Sequence, residues 1–240
     1  MEGVLYMKVG LKILLGSFCG FLFGLISQTD SQAKTINVAL KTPGYTRNYL
    51  PNGQAALYSE PDNTGTIVAK ASDLQKLSKT ADSGQSYFHA FRAYKSTAGQ
   101  WFLNVSSFDK KYQGWIYVGN KSPLKNSTKV SGGLYHVNTF ERLILAAGFS
   151  KKTFYFKVPT APTLTFTKPD WTTYGVGRNM NSLTKYASDR LHVTKDGEKT
   201  HGRDGDAEYY YVVDKKHPKV NGWINVNAVS KIPPKLIYSY

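Results

Sequence analysis

The sequence predicts an all-β fold: two small barrels in tandem, joined by a basic connection with one short helix, behind an amino-terminal signal peptide. Three observations carry that expectation. Sliding the chain against itself by 108 positions brings two blocks into register, short aromatic and β-branched runs alternate with turn-rich loops, and helical periodicity is scarce.

Residues 1–33 read as an export signal, because Lys8 and Lys12 precede the uncharged run 13–26 and Ser31-Gln32-Ala33 offers small residues for cleavage after Ala33. That apolar run is shorter than the ~20 residues that cross a bilayer, so no membrane span is expected in the mature chain. Cys19, the one cysteine, falls inside the signal, which leaves the mature protein without a thiol.

The first unit, 34–120, shows strand patterns at 55–59, 87–94, 101–106 and 115–118, with Asp62-Asn63-Thr64-Gly65 as a turn. The connection, 121–152, carries six Lys and Arg against one Glu. Within it Phe140, Leu143, Ile144 and Ala147 recur at helical spacing, which predicts a short helix over 139–149. The second unit, 153–240, repeats the strand pattern at 153–158, 164–167, 190–194, 208–213 and 223–226, with Asp196-Gly197 as a turn. In the 108-residue register Pro61-Asp62 meets Pro169-Asp170, Trp101 to Val105 meets Tyr209 to Val213, and Gly114-Trp115-Ile116 meets Gly222-Trp223-Ile224.

Side chains of a strand point to alternate faces, so the pattern assigns Leu103, Val105, Tyr211, Val213, Ile116, Val118, Ile224 and Val226 to the core. Phe102, Tyr210, Trp115 and Trp223 then lie on the opposite face, where they either stack on a ligand or close a barrel rim. Between the matched strands runs a loop with Asp-Lys-Lys in both copies, placing Lys110 and Lys111, then Lys215, Lys216 and Lys219, just before the two tryptophans. Cations beside a ring suit a phosphorylated or otherwise anionic glycan chain, and an ordinary solvated hairpin accounts for the same residues.

At these residues the chain resembles the amino-terminal, cell-wall-binding region of lactobacillar surface-layer proteins. Thr46-Arg47-Asn48, Ala56-Leu57-Tyr58, Phe91-Arg92-Ala93-Tyr94 and Tyr112 to Tyr117 carry the likeness in the first unit. Thr153-Phe154-Tyr155, Lys168-Pro169, Thr173-Tyr174-Gly175 and Asn221-Gly222-Trp223-Ile224 continue it in the second. Gly-Trp strands also recur in bacterial SH3-like wall-binding repeats. The resemblance implies a pair of SH3-like barrels that attach a protein without covalent bonds to teichoic acid or wall polysaccharide, and it implies no chemistry. The long lattice-forming region of a surface-layer protein has no counterpart after the second unit.

Catalytic constellations are absent from the pattern. Without a mature Cys no thiol nucleophile is available, and no Ser sits in a nucleophile elbow. His89, His136, His192, His201 and His217 form no His-x-x-x-His or His-Glu pair, so neither a metal nor a cofactor is expected. Asp196, Glu198, Asp204, Asp206 and Glu208 surround His201 but lack the glycine of a calcium loop, and a solvated hairpin is the expectation.

The composition gives 31 Lys and Arg against 16 Asp and Glu, a net charge of +15, all of which remains after the signal is removed. The expected protein is a secreted, non-enzymatic wall-binding module at the surface of a Gram-positive bacterium, drawn to anionic or neutral wall polymers. An extracellular adhesin for a host or partner protein is the alternative. Nucleic acid is expected to bind only through charge.

Overall fold

The computed structural model describes residues 35–80, 83–157, 165–175 and 186–233. The expected signal peptide, its cleavage site and part of the strand expected at 164–167 lie outside the described residues. The described residues fold into two antiparallel sheets and one short α-helix, as an all-β reading requires.

The first sheet comprises β1 (Ile36–Ala39), β2 (Asn48–Pro51), β3 (Leu57–Tyr58), β4 (Ile67–Ala69), β5 (Phe88–Lys95), β6 (Trp101–Ser107), β7 (Gln113–Gly119) and β8 (Leu134–His136). Its order is β4-β3-β7-β6-β5-β2-β8, with β1 paired to β5. The second comprises β9 (Phe140–Leu143), β10 (Thr153–Phe156), β11 (Leu191–Lys199), β12 (Glu208–Asp214), β13 (Gly222–Asn225) and β14 (Val229–Ser230), ordered β13-β12-β11-β10-β14 with β9 on β11. Among the described residues no ladder joins the outer strands of either sheet, so neither closes into a barrel.

The pairings of the second sheet repeat those of the first. The meander β5-β6-β7 corresponds to β11-β12-β13, and β1 on β5 corresponds to β9 on β11. The pairing of β2 with β8 corresponds to that of β10 with β14. Each copy carries a bulge at the same point, between Ala90 and Arg92 and between Val193 and Lys195. Tyr58 pairs with Trp115, and Phe166 forms an isolated bridge to Trp223. The Gly-Trp motif has a steric cause here: a Cβ at Gly114 would meet the Tyr58 carbonyl at 2.3 Å, and one at Gly222 the Phe166 carbonyl at 2.7 Å.

The sequence register is off by one residue on β12. Leu103 opposes Ile116 while Tyr210 opposes Ile224, so Leu103 corresponds to Tyr210 and Val105 to Val212. The turn after β12 holds one more residue than the turn after β6, which restores the 108-residue offset on β13. A slip of one residue moves every side chain of a strand to the other face. Leu103 and Val105 are therefore core, whereas in the second copy Val212 is buried and Tyr210 packs beneath it on the second core; Tyr211 and Val213 are only half-buried. Ile116, Val118 and Ile224 are buried, and Val226 leaves the strand in a 3-10 turn.

The helix also lies elsewhere. Residues 140–143 form strand β9, and Ile144, assigned to an apolar helix face, is 97% exposed. The segment 121–152 instead supplies β8 to the first sheet and β9 to the second, where backbone pairing outweighs a weak helical period. The one α-helix among the described residues, α1 (Ala71–Thr80), has Asp73 in its first turn and Lys79 in its last, which complement the helix dipole, and it sets Leu74 and Leu77 on the first core. Asp196-Gly197, expected as a turn, lies within β11 between β9 and β12.

The two copies meet over a third apolar cluster, in which Leu50, Tyr87, Phe108 and Val137 receive Trp171 and Tyr174. The β11-β12 hairpin, expected to be solvated, docks on the first copy. Buried Arg203 donates to the Ser78 carbonyl at 2.9 Å and lies 5.8 Å from the Tyr87 ring, and the Tyr87 hydroxyl donates to the Thr200 carbonyl at 2.9 Å. Within the hairpin, buried Lys199 pairs with Asp204 at 2.6 Å.

Candidate functional site

A groove of about 700 Å³ runs along the junction of the two copies. The first copy contributes Tyr45, Asn48 and His89, and the second contributes Phe140, Arg142, Lys168, Tyr174 and Trp223. Trp223 stands on β13 with its ring edge-on to Phe140 at 5.1 Å and to Tyr211 at 5.6 Å, and the Arg142 guanidinium lies 5.4 Å from its centre. The Phe140 contact depends on Gly197 of β11: a Cβ there would sit 2.4 Å from the Phe140 ring and 2.3 Å from the Glu141 carbonyl.

Lining the same groove, the His89 imidazole stacks on Tyr174 at 5.4 Å with an interplanar angle of 17°. Its Nδ1 lies 2.8 Å from Asn48 Oδ1, which fixes the ring, and since only an N–H can bond that oxygen, the proton sits on Nδ1. Burial, assisted by the nearby Arg47 guanidinium, pushes His89 down to about 4, so the imidazole is neutral at physiological pH. The groove thus presents fixed aromatic faces, a neutral imidazole and two cations contributed by Arg142 and Lys168.

The candidates chosen from sequence divide. Trp223 lies in the groove, although only 5% exposed. Trp115 and Phe102, expected on an open face, are 8% and 1% exposed. Tyr94 packs edge-on against both, and Tyr117 covers Phe102 from β7. In the first copy that face is therefore closed by its own aromatics. Tyr210 lies on the core side, against Phe149 and Phe154.

The loop lysines do not gather at the tryptophans. Lys111 pairs with Asp109 at 3.2 Å beside an apolar recess formed with Leu77 and Tyr112, and Lys110 is exposed in a left-handed turn. Lys215 and Lys216 line a different recess with Asp189 and Asp214, and Lys219 lies 5.7 Å from the Tyr186 ring. The cation at Trp223 is Arg142, with Lys168 lining the same groove, and neither is marked as a site residue by the sequence because neither is adjacent to Trp223 in the chain. Besides Trp223, the signal in the sequence that touches this region is the motif pair Lys168-Pro169 and Thr173-Tyr174-Gly175, both of which line the groove in part.

No protein-family model and no curated protein match the chain. Among solved structures, a Listeria monocytogenes protein assigned as an autolysin aligns with 82% of this chain at 11% identity and a TM-score of 0.31. The chain spans 64% of that structure, and a likeness so distant carries no inference about fold or function. No helix among the described residues is long and apolar enough to cross a membrane.

Proposed function

We propose that the protein is an exported, non-catalytic wall-binding protein that attaches to secondary wall polymers, teichoic acid or wall polysaccharide, through the groove between its two copies. The observation that carries this reading is Trp223 with the Arg142 guanidinium at its ring, in one groove with the His89–Tyr174 stack. A polyol-phosphate or glycan chain offers apolar carbon faces to rings and anionic oxygens to guanidinium and ammonium groups. A net charge of +15 concentrates such polymers near the protein, with the exposed lysines Lys110, Lys111, Lys215, Lys216 and Lys219 as the outer part of that field. The likeness to surface-layer wall-binding regions with SH3-like repeats belongs to the same reading: each copy of the strand path is one such repeat, and the two together make one binding groove.

Co-sedimentation with protein-free Gram-positive sacculi, before and after removal of teichoic acid and neutral polysaccharide, tests it. Binding to the intact polymer-bearing wall is expected, with loss after stripping, and Arg142→Gln with Lys168→Gln should weaken it about five-fold without moving the melting temperature. Binding that requires wall proteins would overturn the reading in favour of an adhesin. Release of soluble muropeptides would overturn the non-catalytic part.

A further inference from the structure

The turn after β12 differs in kind from the turn after β6. In the first copy Ser107 closes its own turn: its hydroxyl donates to Asp109 Oδ1 at 2.6 Å and accepts from the Tyr112 N–H at 3.0 Å. The corresponding residue of the second copy is Asp214, since Phe88 pairs with Ser107 where Leu191 pairs with Asp214. Asp214 Oδ1 takes over the turn, accepting from the Lys216 and His217 N–H groups at 2.7 and 3.0 Å. That leaves Oδ2, buried on a residue only 1% exposed, with no hydrogen-bond partner among the described residues.

This oxygen faces two further donors. His217 Nδ1 lies 3.8 Å from it and 2.6 Å from Oδ2 of Asp189, itself buried, and one ligand atom from each of the three residues falls within 4.8 Å of the others. A serine in the first copy needs no partner beyond its turn. A carboxylate in the second, held beside a second buried carboxylate, does, because a buried oxygen left without a donor is costly. Lys216 reaches only the outer oxygen of Asp189, at 3.5 Å, and its side chain is 74% exposed and free to swing aside. An open recess of about 370 Å³ borders Asp189 and Asp214, giving an entry path and room for water ligands.

We propose that Asp189, Asp214 and His217 form a divalent transition-metal site peculiar to the second copy. One imidazole nitrogen and two carboxylates are the donor set of Zn²⁺ or Mn²⁺ rather than Ca²⁺, which takes oxygen alone. Ligand atoms about 2.0–2.2 Å from a common ion stand about 3–3.5 Å apart, so the pocket reaches bonding geometry through small side-chain rotations. Metal binding at Nδ1 takes the place of the hydrogen bond between His217 and Asp189, with the imidazole hydrogen moved to Nε2. The ion fastens the turn of 215–219 to the segment around Asp189, independently of the groove at the junction.

The test is calorimetric titration of the full chain with ZnCl₂ at pH 7.5, alongside CoCl₂ followed by visible absorption, with CaCl₂ as control. One equivalent of Zn²⁺ is expected to bind with micromolar or tighter affinity, and Co²⁺ should develop a d–d band that Zn²⁺ abolishes. Asp214→Asn and His217→Gln should each weaken Zn²⁺ at least ten-fold while wall binding by the metal-free protein stays unchanged. Should either variant fail to fold, the wild-type Co²⁺ spectrum still decides. No Zn²⁺ binding, Ca²⁺ binding of equal strength, or Zn²⁺ affinity untouched by both substitutions would overturn the proposal, leaving the cluster as an ion-paired turn.

Discussion

Trp115 and Trp223 hold the same station in two copies of one strand path and are almost equally buried, yet one packs among aromatics of its own copy and the other borders a groove. The difference comes from the neighbouring strands. In the first copy Tyr94 of β5 packs against Trp115, and opposite Tyr94 on β1 stands Asn37, occupied by Arg92 at 3.0 Å. In the second copy the counterpart of Tyr94 is Gly197, and opposite it on β9 stands Arg142. The missing ring is replaced by Phe140 from β9, and the added guanidinium turns a packing surface into a candidate binding surface. A duplicated backbone thus supplies two equivalent seats, and one edge strand decides which of them is furnished for a ligand.

The largest expected effect tests whether both seats are structural. Trp115→Ala and Trp223→Ala should each cost about 3–5 kcal/mol in urea unfolding, since both rings are buried. Trp223→Phe, which keeps most of the packing, should retain the fold but lose wall binding, whereas Trp115→Phe should keep both. Equal binding by the two Phe variants would erase the comparison.

Next comes Gly197. Gly197→Ala forces a methyl group against the Phe140 ring and the Glu141 carbonyl and is expected to destabilise by about 1–3 kcal/mol, read by thermal denaturation. A neutral result would mean that β9 is not held where Trp223 needs it.

His89 gives an effect of similar size that depends on pH. Its folded pKa of about 4 lies below the ordinary 6.5, so the unfolded chain takes up the proton first. The associated stability is complete above about pH 6.5 and declines as pH falls toward 4, by about 2 kcal/mol at pH 5. His89→Gln should flatten that part of the slope between pH 7 and 5 in parallel melts. A slope unchanged by the substitution would assign it to other groups, among them His136, which burial also pushes down.

The smallest expected effect separates near charge from far charge. Replacing Lys110, Lys111, Lys215, Lys216 and Lys219 with Gln should lower wall binding by about two- to three-fold at low salt and by nothing measurable at high salt. Arg142→Gln should weaken it at both. Identical salt profiles would move the site from the groove to the lysine turns.

The repeat itself was legible because Gly-Trp-Ile recurs where a neighbouring carbonyl leaves no room for a Cβ. The side of β12 that faces the core was not, because a single extra residue in the following turn is invisible when matching blocks are aligned across it, and period-two patterns invert under that slip. Helix α1 escaped notice because its sequence is polar apart from Leu74 and Leu77. The apolar spacing of 140–147 suggests a helix, but Phe140 and Leu143 lie on a strand whose partners, Lys199 and Asp196, are far away in the chain. The groove was the least legible feature, since His89 and Trp223 come from opposite ends of the duplication and only the docking of the copies makes them neighbours.

That docking also bears on the order of events as the chain takes shape. The Arg203 bond to Ser78 bridges 125 positions, far more than the pairings within either meander. Closing so long a segment costs chain entropy before any contact returns it, so the hairpins of each copy form early and their union late. A nascent chain emerges amino-end first, and for the interval before its second half follows, Leu50, Tyr87 and Phe108 face water without their cover. The carboxyl-terminal half thus supplies, through Trp171 and Tyr174, the cover for an apolar flank that the first copy cannot bury by itself.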